Sequence, residues 1–229
     1  GASRAGAGLV TLFVHPDALS RLSALPASVM VRPLAPAAAL AAATTFDAVA
    51  VGPGLGGGRP LAADVLDALA DLLHRDQPAV LDADALVPGL PAGRHAIRTP
   101  HPGELARLLA CTVAEVQADR FGRVRENPGV TLLKGPHTLI HDGAGHVHVN
   151  PTGSPALATA GSGDVLTGVV GALLARGLSP VDAGRLGAWV HGRAGEILLD
   201  RAPDGHIAPD IAGALPLAIA ELLDVPRRP

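Results

Sequence analysis

The segment Asn150-Pro-Thr-Gly-Ser-Pro-Ala-Leu-Ala-Thr-Ala-Gly-Ser-Gly-Asp164-Val-Leu-Thr-Gly168 sets small and polar residues directly ahead of an apolar run. Gly161 and Gly163 let the main chain approach a ligand closely. Amides that open a helix point at an anion, with the positive end of the helix dipole behind them. A carboxylate among such donors repels phosphate. Asp164 is therefore suited to take a proton from an attacking hydroxyl. The alternative is a helix-start charge worth about 0.3–1 kcal/mol; the length of the surrounding segment favours the base.

Other groups are weaker alone. Val51-Gly-Pro-Gly-Leu-Gly-Gly-Gly58 is a glycine loop after a strand, open to a dinucleotide reading or to a tight turn. Against the dinucleotide, the nearest carboxylates, Asp82 and Asp84, lie about 30 residues on, where ~20 is usual. On a continuous strand Asp82 and Asp84 share one face, and loop hydrogen bonding or metal-shell support outranks catalysis for both. Pro100 and Pro102 stiffen the turn around His101 that leads to Glu104. Lys134 ends an apolar strand, where a lysine is usually a solvated charge. His141, His146 and His148 alternate on a hairpin and are expected exposed. No carboxylate or cysteine joins them at a ligand spacing, so no metal site is expected there.

Strand-like runs at Leu9–His15, Val29–Leu34, Ala48–Gly52, Ala79–Asp84, Ala96–Pro100, Val130–Lys134, Thr138–His141 and His146–Asn150 position these groups. Several are continuously apolar, as in parallel strands covered on both faces. The last two form a hairpin across Asp142-Gly143. Helical spacing covers Pro60–His74, a pair broken at Cys111-Thr112 with Thr112 and Glu115 as a capping box, and a helix from Gly163 to before Gly177. Further helices run from the Ser179-Pro180 cap through Leu199, and from Asp210 to Leu222. The alternation predicts an α/β fold: one open, mostly parallel sheet with helices on both faces, a hairpin on its C-terminal side, and a single domain over 1–229. In such sheets ligands bind outside the carboxyl ends of the strands.

Composition narrows the function. With 48% hydrophobic residues but 2% aromatic, the core is aliphatic. A net charge of -3 without a basic block excludes nucleic acid as an expected partner. One cysteine fits a reducing compartment. No apolar run reaches the ~18 residues of a membrane span, and no signal peptide is visible. The start at Gly1 without Met suggests trimming.

"NPTGSPALATAGSGDVLTG" resembles the phosphate-binding signature of the NAD(P)H-hydrate dehydratases, a ribokinase-like branch. "VGPGLG", "LDADAL", "TPHPGELARLL", "LLKGPHTLI", "HGRAGEIL" and "IAPDIAGALP" agree in order and spacing. The resemblance implies a three-layer ribokinase-like fold and the ADP-dependent return of S-epimer NADHX or NADPHX (hydrated NADH or NADPH) to NAD(P)H, releasing AMP and phosphate. A vitamin-precursor kinase or a non-catalytic nucleotide-binding module are the alternatives. It implies Asp164 as base; Gly54, Gly56, His101 and Asp164 against the substrate; and Lys134, Gly135, Pro136, His137, Thr138, Gly161, Ser162 and Gly163 around the nucleotide. Glu104 would serve Mg2+ through water, and ADP (or ATP) would donate the phosphoryl group. His101 stands where related vitamin kinases carry Asn. A cytoplasmic homo-oligomer, often a tetramer, is implied, with NAD(P)H-hydrate epimerase as a separate or fused functional partner. The family's first glycine-rich strand–helix unit has no counterpart ahead of Arg4–Val10.

Overall fold

A computed structural model describes residues 1–22, 27–56 and 59–223; Gly57 and Gly58 of the glycine loop lie outside the described residues. Strands β1 (Val10–Val14) and β2 (Val29–Pro33) lead to helix α1 (Pro36–Ala42), strand β3 (Val49–Val51) and helix α2 (Ala63–His74). Strands β4 (Ala79–Leu81) and β5 (Ala96–Arg98) follow, then short helices α3 (Pro102–Leu108), α4 (Val113–Ala118) and α5 (Arg120–Glu126). Strands β6 (Val130–Leu133), β7 (Leu139–His141) and β8 (Val147–Val149) precede the long helices α6 (Ser162–Ala175), α7 (Pro180–Arg201) and α8 (Ala208–Leu222).

The main sheet runs β3-β4-β5-β6-β7-β8, in chain order. β3 to β6 pair in parallel, and β7 and β8 continue antiparallel as the expected hairpin. Alternation along each strand divides the core. Val80, Ile97, Leu132 and Ile140 face α6, α7 and α8. Ala79, Leu81 and Ala96 face α1 and α2, while Leu133 and Leu139 face α3, α4 and α5. Both faces are thus covered, which is why these strands read as unbroken apolar runs. The expected capping box of Thr112 and Glu115 opens α4, and Ser179 caps α7 with Pro180 behind it. No helix among the described residues is long and apolar enough to cross a membrane.

The structure departs from expectation at several points. β1 and β2 form a sheet of their own, and no ladder joins them to the main sheet among the described residues. Their faces are incompletely covered: Leu9, Leu12 and Met30 are exposed. Helix α1 has no counterpart in the sequence reading, because an alanine-rich stretch has little amphipathic contrast. β4 stops at Leu81, since Ala83 takes a positive φ of 47° inside a 3-10 turn. Asp82 and Asp84 therefore do not share a strand face. His141 is buried, contrary to the exposed reading, because β7 lies between β6 and β8 rather than at an edge. Desolvation pushes its pKa down.

Arg98 is the one cation among the core strands whose role sequence left unread. It is 3% exposed and donates to four carbonyls, those of Leu90, Pro91, Ala92 and Pro128, at 2.6–3.5 Å. This guanidinium clamps two loops to the end of β5. Arg98→Leu orphans these acceptors and is expected to cost about 2–5 kcal/mol, since buried unpaired polar groups cost 1–3 kcal/mol each and relax only in part. Urea unfolding checks the loss; an unchanged midpoint would contradict the clamp.

Candidate active site

Four parallel strands end on the same side, and their C-terminal extensions converge. Gly52 follows β3 with φ 134°; a methyl there would lie 1.7 Å from the Asp82 carbonyl oxygen, so only glycine lets the two chain ends pass. Asp82 follows β4, His101 lies beyond β5, and Lys134 follows β6. The Lys134 amide donates to the Pro100 carbonyl at 2.8 Å, which ties the ends of β5 and β6 together.

Lys134 is not a solvated charge. Its ammonium donates to Asp82 Oδ1 at 2.7 Å and stands 3.5 Å from Glu104 Oε2. Asp82 is 2% exposed, and its second oxygen accepts from the Thr167 hydroxyl at 2.7 Å. Thr167 belongs to α6, so this carboxylate fastens the catalytic-helix candidate to the sheet. Glu104 Oε2 also accepts from the His101 amide at 2.7 Å, while His101 Nδ1 accepts from the amides of Gly103 and Glu104. His101 and Glu104 thus close a capping box on α3. Asp84 turns the other way and accepts from the Gly56 amide at 2.9 Å, which fixes the glycine loop.

Helix α6 begins at Gly161, whose φ of 81° reverses the chain before the helix. A methyl at Gly163 would lie 3.5 Å from Lys134 Nζ and 3.9 Å from Asp82 Oδ2, so the first turn of α6 lies against the ion pair. Asp164 is exposed on that turn. Its pKa is raised, first by partial burial, then by the negative charge of Asp82; Lys134 opposes the shift. A raised carboxyl at a helix start, where the dipole favours the anion, marks a group whose proton affinity is set by its neighbours.

The segment from Asn150 is held from α7. Asn150 donates to the carbonyls of Thr152 and Ala188, Thr152 to that of Trp189, and Glu196 accepts from the Gly153 amide. Ser162 contacts His191 of α7 at 3.1–3.2 Å. The loop Gly135–Thr138 is closed by Thr138 Oγ1 donating to the Gly135 carbonyl at 3.1 Å, and Arg120 of α5 holds the Pro136 carbonyl. His137 lines a separate hollow of about 400 Å³ with Arg120, Phe121 and Val149.

The structure therefore gathers Glu104, Lys134, Ser162, Gly163 and Asp164 around one ion pair, with His101 joined through Glu104. Gly54 and Gly56 sit on the adjacent loop, and His137 lines the hollow beside α5. Sequence reasoning missed Asp82 as the buried counter-ion, Thr167, His191 and Arg120. Thr167 left a signal, lying one helical turn from Gly163 and Asp164, and His191 opens the segment "HGRAGEIL". Among the described residues no three His, Cys, Asp or Glu side chains gather as a metal cage.

Comparison with known proteins gives the family. The family model described as NAD(P)H-hydrate dehydratase matches residues 1–217. The bifunctional NAD(P)H-hydrate repair enzyme Nnr of Moorella thermoacetica is 41% identical over 96% of this chain and 46% of its own length. The ADP-dependent (S)-NAD(P)H-hydrate dehydratase of Neisseria meningitidis is 42% identical over 76% of this chain and 64% of its own. The chain spans about half the length of the bifunctional relative. The ADP/ATP-dependent NAD(P)H-hydrate dehydratase of Bacillus subtilis, co-crystallized with ATP/Mg2+, superposes with a TM-score of 0.82 at 28% identity, over 96% of this chain and 81% of that one. With a ribokinase-like fold and a family match across most of its length, the chain belongs to the NAD(P)H-hydrate dehydratase family.

Proposed function

We propose that this chain dehydrates the S epimer of hydrated NADH or NADPH, using ADP as phosphoryl donor and releasing AMP and phosphate. The observation that carries the reading is Asp164: a carboxyl of raised proton affinity on the first turn of α6, beside main-chain donors and a lysine. Hydroxide is a poor leaving group, whereas phosphate is a good one. Asp164 takes the proton of the substrate hydroxyl as its oxygen attacks the β-phosphorus of ADP, and AMP departs. Phosphate then leaves with its bonding electrons and a ring C–H gives up its proton, which restores the dihydropyridine. Amides of Gly161 and Gly163 face the charge on the transferring group, while the Ser162 amide donates to the Thr159 carbonyl at 3.2 Å and leaves its hydroxyl for that role. The Lys134 loop through Thr138 lies along the AMP portion, and Gly54, Gly56 and His101 wall the nicotinamide.

ADP follows the name of the Neisseria relative, and the Bacillus relative carries ATP/Mg2+. Glu104 Oε2 is spent on its helix cap and on Lys134, so the oxygen for a hydrated Mg2+ is Oε1, which stands 3.4 Å from His101 Nε2. Mg2+ is commonly held by one or two carboxylates plus substrate phosphates, so the donor set fits an ion brought by the nucleotide. Bound there it would neutralise the donor phosphates. The same reading takes the protein as a cytoplasmic homo-oligomer, tetrameric as the resemblance implies, that works with an epimerase; the Nnr relatives are named as bifunctional repair enzymes.

Incubation with each epimer of NADPH hydrate and ADP or ATP tests the reaction. Reduced-nicotinamide absorbance is expected to return with the S epimer alone, with AMP and phosphate in equal amounts by mass analysis when ADP is the donor, and ADP and phosphate when ATP is. Accumulation of a phosphorylated, non-absorbing product would instead identify a kinase.

A further inference from the structure

We propose that His191, on α7, is a positioning residue for the anion cradle: it holds Ser162 so that the serine hydroxyl proton is free for a phosphoryl oxygen. The inference rests on the phosphoryl-transfer reading above and adds a residue to it. His191 Nε2 lies 3.1 Å from the Ser162 carbonyl oxygen and 3.2 Å from Ser162 Oγ. A carbonyl only accepts, so Nε2 must carry the hydrogen. One N–H then serves both oxygens of Ser162. The serine Oγ receives instead of giving, and its own proton is uncommitted. Among the described residues the hydroxyl makes no other hydrogen bond.

The first turn of α6 needs such support. Its N-cap is Gly161, with no side chain to bind the helix amides, and no side-chain cap is present. Ser162 is therefore oriented from outside, by a helix packed along α6. Both residues are buried, His191 at 7% and Ser162 at 6% exposure. The pKa of His191 is pushed down to about 4, first by desolvation and also by the charge of Lys134, against the pull of the Ser162 carbonyl. The imidazole is thus neutral at working pH and adds no charge beside Lys134. A neutral buried donor that fixes a serine, and not an acid or base, is what this geometry describes.

His191→Leu, His191→Gln, Ser162→Ala and the His191→Leu/Ser162→Ala double variant test it. Gln can place an amide N–H where Nε2 stands, whereas Leu fills the volume without a donor. ADP affinity by calorimetry, donor kcat and KM, and thermal unfolding are measured on each. His191→Leu and Ser162→Ala are each expected to lower kcat/KM for the donor by about 10²-fold, the size of one lost transition-state donor. His191→Gln is expected to recover most of it. The double variant should be no worse than Ser162→Ala, because the two act as one unit. Losses that multiply, or donor kinetics unchanged in His191→Leu, would overturn the role. Imidazole 15N shifts of the unliganded protein give a readout independent of turnover: the Nε2–H tautomer supports the assignment and Nδ1–H overturns it. A wild type without ADP-driven dehydration would sink the proposed reaction, while the tautomer and ADP affinities would still decide the His191–Ser162 link.

Discussion

Asp164→Asn is expected to keep the fold and to lose dehydration by about 10²–10⁴-fold, the usual yield of a positioned general base. The substitution is nearly isosteric and removes only the ability to take a proton. The side chain is exposed and makes no packing that the fold depends on. The pH profile carries a second signature. Partial desolvation and the charge of Asp82 raise the Asp164 pKa, Lys134 opposing, so the rate should fall on the acid side through a break above the ordinary carboxylate value. Stability has the opposite sign. A carboxyl whose folded pKa exceeds its unfolded one favours the protonated native state. Ionised Asp164 therefore subtracts stability above the folded pKa, and the penalty disappears as pH falls below the unfolded one. Asp164→Asn should melt no lower than wild type at neutral pH, with any advantage vanishing in acid. Initial rates with ADP and the S epimer, and melts across pH, check both halves. Wild-type-like turnover would dismiss Asp164 as the base.

What the sequence disclosed and what it concealed divide along the range of the interactions. The α/β order, the hairpin and the caps at Thr112 and Ser179 depend on neighbours within a few positions, and period and capping chemistry report these. Gly161 to Asp164 stood out only within the longer segment from Asn150, since glycines and a carboxylate ahead of an apolar run by themselves read more readily as a helix start. The pairing of Asp82 with Lys134 spans 52 positions, and that of Ser162 with His191 spans 29. No period marks either. Asp82 was misread as a strand-face neighbour of Asp84 because the positive φ at Ala83, a residue with no preference for it, ends β4 early. β1 and β2 show the reverse failure. Their local signal is correct, but whether a strand joins the main sheet depends on ladders that the strand's own residues do not specify.

That long-range pairing carries the largest stability effect expected here. Lys134→Met is predicted to destabilise the protein by about 3–5 kcal/mol, because removing one partner of a buried pair strands the other charge. Asp82 at 2% exposure has no solvent to turn to, and the Thr167 hydroxyl alone cannot offset an anion. Glu104, 3.5 Å from the ammonium, loses its cation in the same step. In a domain of this size the loss corresponds to a Tm lower by roughly 10 °C or more. Asp82→Asn in the Lys134→Met background is expected to return part of the stability. The amide is neutral and can still accept from Thr167. It should not return nucleotide affinity, because the cation facing the cradle is still missing. Thermal melts and ADP titrations of the single and double variants therefore separate two duties of one lysine: closing the charge balance between β4, α3 and β6, and presenting a positive charge to the donor. A Lys134→Met protein that melts with the wild type would mean that the pair contributes nothing net; a double variant that regained ADP affinity would mean that the lysine serves the fold alone.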